Sequence, residues 1–118
     1  MRHEVTDDRT ALAVGSGDVP VLATPWLITW MEAATVQAAA PFVTAGLTTV
    51  GTGVCVQHLH ATRVGGWVDV IAEPPTETGG RRLTFRVRAV DDSGQVVATG
   101  EIDRAIVDRQ RFLAGASV

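Results

Sequence analysis

A chain of 118 residues with 46% hydrophobic content is long enough to bury one core and too short for two ordinary domains, so residues 1–118 are read as a single domain. Its net charge is −3 and its pI about 5.5, which leaves no broad basic footprint for nucleic acid; all ten basic residues are arginine. No apolar run reaches the ~20 residues of a membrane span. Cys55 is the lone cysteine and excludes an internal disulfide. Together with an N-terminus, Met1–Asp8, that lacks a signal-peptide core, it points to a cytoplasmic protein.

In chain order, His3–Thr6 reads as a short strand, Thr10–Val14 as extended, and Gly15-Ser16-Gly17-Asp18 as a loop. Thr24 then reads as a helix N-cap, with Pro25 in the first helical position and Pro41 as the stop. Between them Leu27–Ala39 is apolar on nearly every face, which predicts a helix buried all round. Glu32 is its only charge, and Thr29 and Thr35 lie three residues to either side on the same face. A carboxylate in that position needs either a partner or a task.

From Thr48 the apolar period changes from about 3.6 to 2, and four strands follow. Strict alternation in the first puts Val50, Thr52, Val54, Val56, His58 and His60 on one face, with Gly51, Gly53 and a buried, inert Cys55 on the other. After Gly65-Gly66 come a strand at Trp67–Glu73, a loop at Pro74–Gly80 and a strand at Arg81–Val90. In the last of these Leu83, Phe85, Val87 and Ala89 point inward. The turn Asp91-Asp92-Ser93-Gly94 leads to a final strand, Gln95–Val107, and Asp108–Val118 is expected to fray. One long helix followed by an antiparallel sheet is an α+β layout in which the sheet must curl around the helix. Its free edge would be closed by a second copy, so a homodimer is expected.

Thr24, Glu32 and His58 are the residues that could carry chemistry. If the valines of the first long strand pack on the helix, His58 points the same way, and an imidazole near a carboxylate suits acid–base or nucleophilic catalysis. Free N–H groups at the helix start offer a place for an oxyanion. Each residue also has a structural reading, Thr24 as a cap, Glu32 as a satisfied buried acid and His58 as a packing residue. His58 and His60 share a strand face but have no third ligand at convincing spacing, so no metal site is expected. Phosphate-loop glycines, a Gly-x-Ser-x-Gly elbow and a Cys-x-x-Cys pair are all absent.

The stretches Thr24-Pro-Trp-Leu-Ile-Thr-Trp-Met-Glu32, Val50-Gly-Thr-Gly-Val-Cys-Val-Gln-His58, Gly80-Arg-Arg-Leu-Thr-Phe-Arg-Val87 and Asp103-Arg-Ala-Ile-Val107 together resemble the hotdog-fold thioesterases related to fluoroacetyl-CoA thioesterase. The likeness runs from about Leu22 to Phe112 and is most specific in the order and spacing of Thr24, Glu32 and His58. It implies a hotdog fold, hydrolysis of a short acyl-CoA thioester by Thr24, Glu32 and His58, and Gly51 and Arg104 lining the acyl end of the pocket. It further implies no cofactor beyond the CoA of the substrate, and a dimer with sites at the subunit interface. Arg63, Arg109 and Arg111 are the surface arginines open to the nucleotide end. A non-catalytic acyl-CoA-binding hotdog protein and a hotdog hydratase or dehydratase are the other classes this pattern admits. In the fluoroacetyl-specific enzyme the segment before the threonine is longer and supplies apolar lid residues. Here Thr10–Ala23 is short, carries Gly15-Ser16-Gly17 and has no aromatic residue, so fluoroacetyl selectivity is not expected.

Overall fold

The computed structural model describes residues 1–75 and 80–118. Five antiparallel strands form one sheet: β1 (Arg2–Glu4), β2 (Leu47–His58), β3 (Trp67–Ala72), β4 (Arg82–Asp91) and β5 (Val96–Asp108), in the order β1-β3-β4-β5-β2. The one long helix, α2 (Thr24–Ala39), packs against strands β2, β3 and β4. This is the α+β hotdog arrangement expected from the sequence. The Pro74–Gly80 loop falls in part on residues 76–79, outside the described residues. No helix among the described residues is long and apolar enough to cross a membrane.

The helix limits follow from the prolines. Pro25 lies in the first turn, and Pro41 sits in a 3₁₀ turn, Ala40–Phe42, directly after the last α-helical residue. One stripe, Leu27, Trp30, Met31, Thr35 and Ala39, is buried against the sheet. Trp26, Ala34 and Ala38 flank it half-buried, and the opposite side is open: Val36 is 50% exposed, and Thr24, Pro25, Thr29, Ala33 and Gln37 are exposed as well. Burial all round is therefore corrected to burial of one stripe, because a single five-stranded sheet can cover only one side of a helix. The sheet answers that stripe with Leu83, Phe85 and Val87 of β4 and Val97, Ala98 and Ile102 of β5, all under 5% exposed. β4 alternates as expected, with Arg82, Arg86 and Arg88 outside.

Four local expectations are corrected. Thr24 is not the N-cap; Ala23 is, with no side-chain cap bond, and Thr24 is the first helical residue. Thr10–Val14 is not extended, because Thr10 accepts from the N–H of Ala13 and opens a short helix, α1 (Ala11–Val14), which Gly15 ends at φ 81°. Asp108 does the same for α3 (Arg109–Leu113), a segment expected to fray. In β2 a bulge between Gly51 and Gly53 breaks the alternation. Gly51 pairs with Arg104 and Val54 with Ile102, so Gly51 faces the helix and Val50 lies on the other face.

Candidate active site

Two groups of polar side chains result. The first lies at the start of α2. Thr24 Oγ1 is 2.8 Å from His58 Nδ1, linking the helix to the end of β2. Because Ala23 holds the cap position, the threonine hydroxyl is free to turn toward the strand. His58 is half-buried, and burial lowers its pKa from the ordinary imidazole value, the backbone at His60 pulling weakly the other way. The ring is thereby favoured in its neutral, basic form. Its Nε2 is buried with no hydrogen-bond partner among the described residues. Thr24 can donate to Nδ1 only in the tautomer that carries the proton on Nε2, so that ring has one acceptor engaged and one donor unspent.

Pro25 has no N–H, and Leu27 is the first residue to bond back, to the carbonyl of Ala23 at 3.2 Å. The N–H groups of Thr24 and Trp26 thus remain as donors at the positive end of the helix dipole. A cavity of about 290 Å³ opens beside Thr24, lined by Ala11, Gly17, Val21, Leu22, Thr24 and His58 among others. Its walls come from the segment before the helix on one side and from the end of β2 and the residues after it, His58 to Ala61, on the other. A larger hollow of about 510 Å³, on the outer face of the sheet between Arg86, Arg88, Glu73 and Glu101, touches neither polar group.

The second group lies two helical turns further on. Glu32 Oε2 is 3.7 Å from Nη1 of Arg104, whose side chain is 7% exposed against 40% for the glutamate. Glu32 is thus less buried within the chain than its helix suggested, and its partner is an arginine. Burial lowers the pKa of Arg104 and the facing carboxylate raises it. Gly51 completes this group: a Cβ there would stand 2.6 Å from Glu32 Oε2, so any larger residue would displace the carboxylate. Thr29 does not join in, its hydroxyl bonding back to the carbonyl of Pro25 at 2.9 Å.

Within one chain, then, Thr24 meets His58, and Glu32 meets Gly51 and Arg104, but the two groups do not meet each other. No ion pair joins Glu32 and His58 among the described residues. Eight residues of helix separate Thr24 from Glu32, about 12 Å of rise. Gly51 and His58 are about 20 Å apart along β2. Thr35, which shares the Glu32 helix face in the sequence, does lie at Arg104, together with Thr49, a residue that nothing in the sequence distinguishes. Cys55, expected to be buried, is exposed on the edge strand. No cluster of three metal-ligating side chains occurs among the described residues.

Comparison with known proteins bears on the fold and the family of the chain. A fluoroacetyl-CoA thioesterase from Streptantibioticus cattleyicolor is 38% identical over 94 residues, a stretch covering 80% of this chain and 66% of that protein's length. A point-mutant form of the fluoroacetyl-CoA-specific thioesterase FlK, solved with fluoroacetate and CoA, superposes with a TM-score of 0.85 at 32% identity, covering 97% of this chain and 92% of that one. A thioesterase superfamily member from Thermus thermophilus superposes at 0.88 with 30% identity, covering 97% and 83%. The family described as fluoroacetyl-CoA-specific thioesterase, FlK, matches residues 5–110, so the chain belongs to the FlK family of thioesterases.

Proposed function

We propose that this chain, working as one domain over residues 1–118, hydrolyses the thioester of a short acyl-CoA, with Thr24, His58 and Glu32 as the catalytic set and Gly51 and Arg104 beside the acyl group. The contact that carries the reading is the 2.8 Å approach of Thr24 to His58 next to unpaired N–H groups and a cavity. A thioester carbonyl placed there points its oxygen at the Thr24 and Trp26 N–H donors, which stabilise the negative charge that develops on it. The Thr24 oxygen attacks the carbonyl carbon while its proton passes to Nδ1 of His58; the C–S bond breaks, and the CoA sulfur leaves with that proton. Water then attacks the acyl–Thr24 ester and gives a proton to His58; the bond from the acyl carbon to Thr24 Oγ1 breaks, His58 returns the proton to the threonine oxygen, and the free acid leaves. No cofactor is required, CoA being part of the substrate. A cytoplasmic setting, where CoA esters are made and a lone thiol stays reduced, fits this role.

The working unit in this proposal is a homodimer. Groups acting on one carbonyl must lie within ~3.5 Å of it, which the separation inside one chain forbids. Among the described residues β2 pairs only with β5, so its other edge is open there over 12 residues and carries Val54 at 43% exposure. Antiparallel pairing of two β2 edges about a two-fold axis close to Cys55 sets Gly51 of one copy opposite His58 of its partner. Glu32 and Arg104 of one protomer then complete the Thr24–His58 pair of the other.

A screen of free-thiol release across short, branched, aromatic and halogenated acyl-CoAs identifies the substrate. Glu32→Gln and His58→Ala are each expected to lower kcat by about 10²- to 10³-fold while leaving the fold intact. Saturable acyl-CoA binding without thiol release, or a variant that turns over like the parent, would contradict the proposal.

A further inference from the structure

Arg104 is an unusual group for a small domain: a cation 6% exposed, reaching inward from β5. Its guanidinium has five N–H donors that need partners once water is stripped away. Nε donates to Thr49 Oγ1 at 2.9 Å and Nη2 to the Thr49 carbonyl at 3.2 Å. Nη1 reaches Thr35 Oγ1 at 3.5 Å. Thr35, itself fully buried, donates its proton to the carbonyl of Glu32 at 2.7 Å and so offers only lone pairs to the guanidinium. One threonine hydroxyl therefore ties the helix backbone at Glu32 to Arg104, and the other threonine grips Arg104 from β2 on two nitrogens. The nitrogen left least satisfied by this grip, Nη1, is the one 3.7 Å from the Glu32 carboxylate.

We infer that Thr49 and Thr35 are positioning residues that hold Arg104 against Glu32, and that the main work of Arg104 is to fix the carboxylate rather than to bind the acyl group. This rests on the reading of Glu32 as a catalytic group. The grip fixes the plane of the guanidinium in a way an arginine on a solvent-facing strand could not, since a planar fork loses its direction when it can rotate. The bare Cα of Gly51, the cross-strand partner of Arg104, lies against the same carboxylate and leaves it no room for a Cβ.

Thr49→Val tests the inference, because it keeps the side-chain shape and the backbone carbonyl and removes only the hydroxyl that accepts from Nε. The measurement is steady-state thiol release on the best acyl-CoA of the screen, with melting temperature followed in parallel. A fall in kcat of about 10- to 100-fold is expected, as for a misplaced catalytic group, with KM within about twofold of the parent. Thr49→Ser, which restores the hydroxyl, is expected to recover most of that loss. Three results would overturn the inference: kcat within about twofold of the parent, a loss appearing in KM alone, or a serine variant as slow as the valine one. If the valine variant does not fold, Thr49→Ala at this half-buried position is read by the same criteria. Parallel assay of Glu32→Gln separates the two levels. Full activity in that variant removes the reading of Glu32 itself, whereas a dead Glu32→Gln beside an unchanged Thr49→Val removes only the role of the threonines.

Discussion

His58 is the residue whose protonation should govern turnover. In the proposed reaction a neutral His58 ring accepts the Thr24 proton, and a charged one cannot. Burial lowers its pKa, so the neutral form persists below the ordinary imidazole value of about 6.5. The sign follows: kcat/KM rises with pH along an acidic limb whose midpoint lies below 6.5 and is flat through neutrality. A pH–rate profile with that midpoint at or above 6.5 would contradict the assignment of His58 as the base. Other features at this scale were only partly legible in the sequence. Threonine before proline is a strong capping signal, yet the cap passes to Ala23 and the hydroxyl goes to His58. Local propensity cannot register a partner 34 residues away. Thr49 was invisible for the same reason, its significance arising only from an arginine 55 positions along the chain.

At the scale of elements, the long and strongly patterned segments were readable and the short ones were not. Pro25 and Pro41 bracket α2, and the alternation of β4 names its inward residues correctly, since one face is packed and the other solvated. The four-residue helix α1 and five-residue α3 are too short for a helical period to show, and each depends on a side-chain cap. The bulge in β2 is hidden in Gly51-Thr52-Gly53, where glycine signals irregularity without fixing which residue is extra. Its consequence is a parity switch that lets Gly51 and His58, an odd and an even position, both face the helix side. Among the described residues, Phe85 of β4 is the largest of the fully buried side chains in the core that holds the frame. Phe85→Ala is expected to cost about 3–5 kcal/mol of stability. Chemical denaturation would check this, and a loss under 1 kcal/mol would show that the core of the sheet does not depend on that ring.

For the whole molecule, the fold and the thioesterase family were legible from motif order, whereas the geometry of the site was not. The sequence placed an acid, an imidazole and a hydroxyl at telling intervals and suggested that they converge. In the folded chain they divide between two places, because α2 and β2 are stiff rods that carry the groups apart by more than a reacting carbonyl can span. A half-covered helix, with Val36 and Ala33 exposed, and an open β2 edge are the surfaces a second copy would cover. The proposed catalytic set is therefore a property of two chains.

That claim is tested most directly by complementation between two inactive proteins. Glu32→Gln and His58→Ala chains carrying different affinity tags are co-expressed, and the mixed dimer is isolated and assayed for thiol release. If the site is shared, the mixed dimer contains one intact site, with His58 from one protomer and Glu32 from the other, and recovers about half the parent rate per dimer. A mixed dimer no more active than either variant alone would show that each chain works with its own residues and would contradict the account.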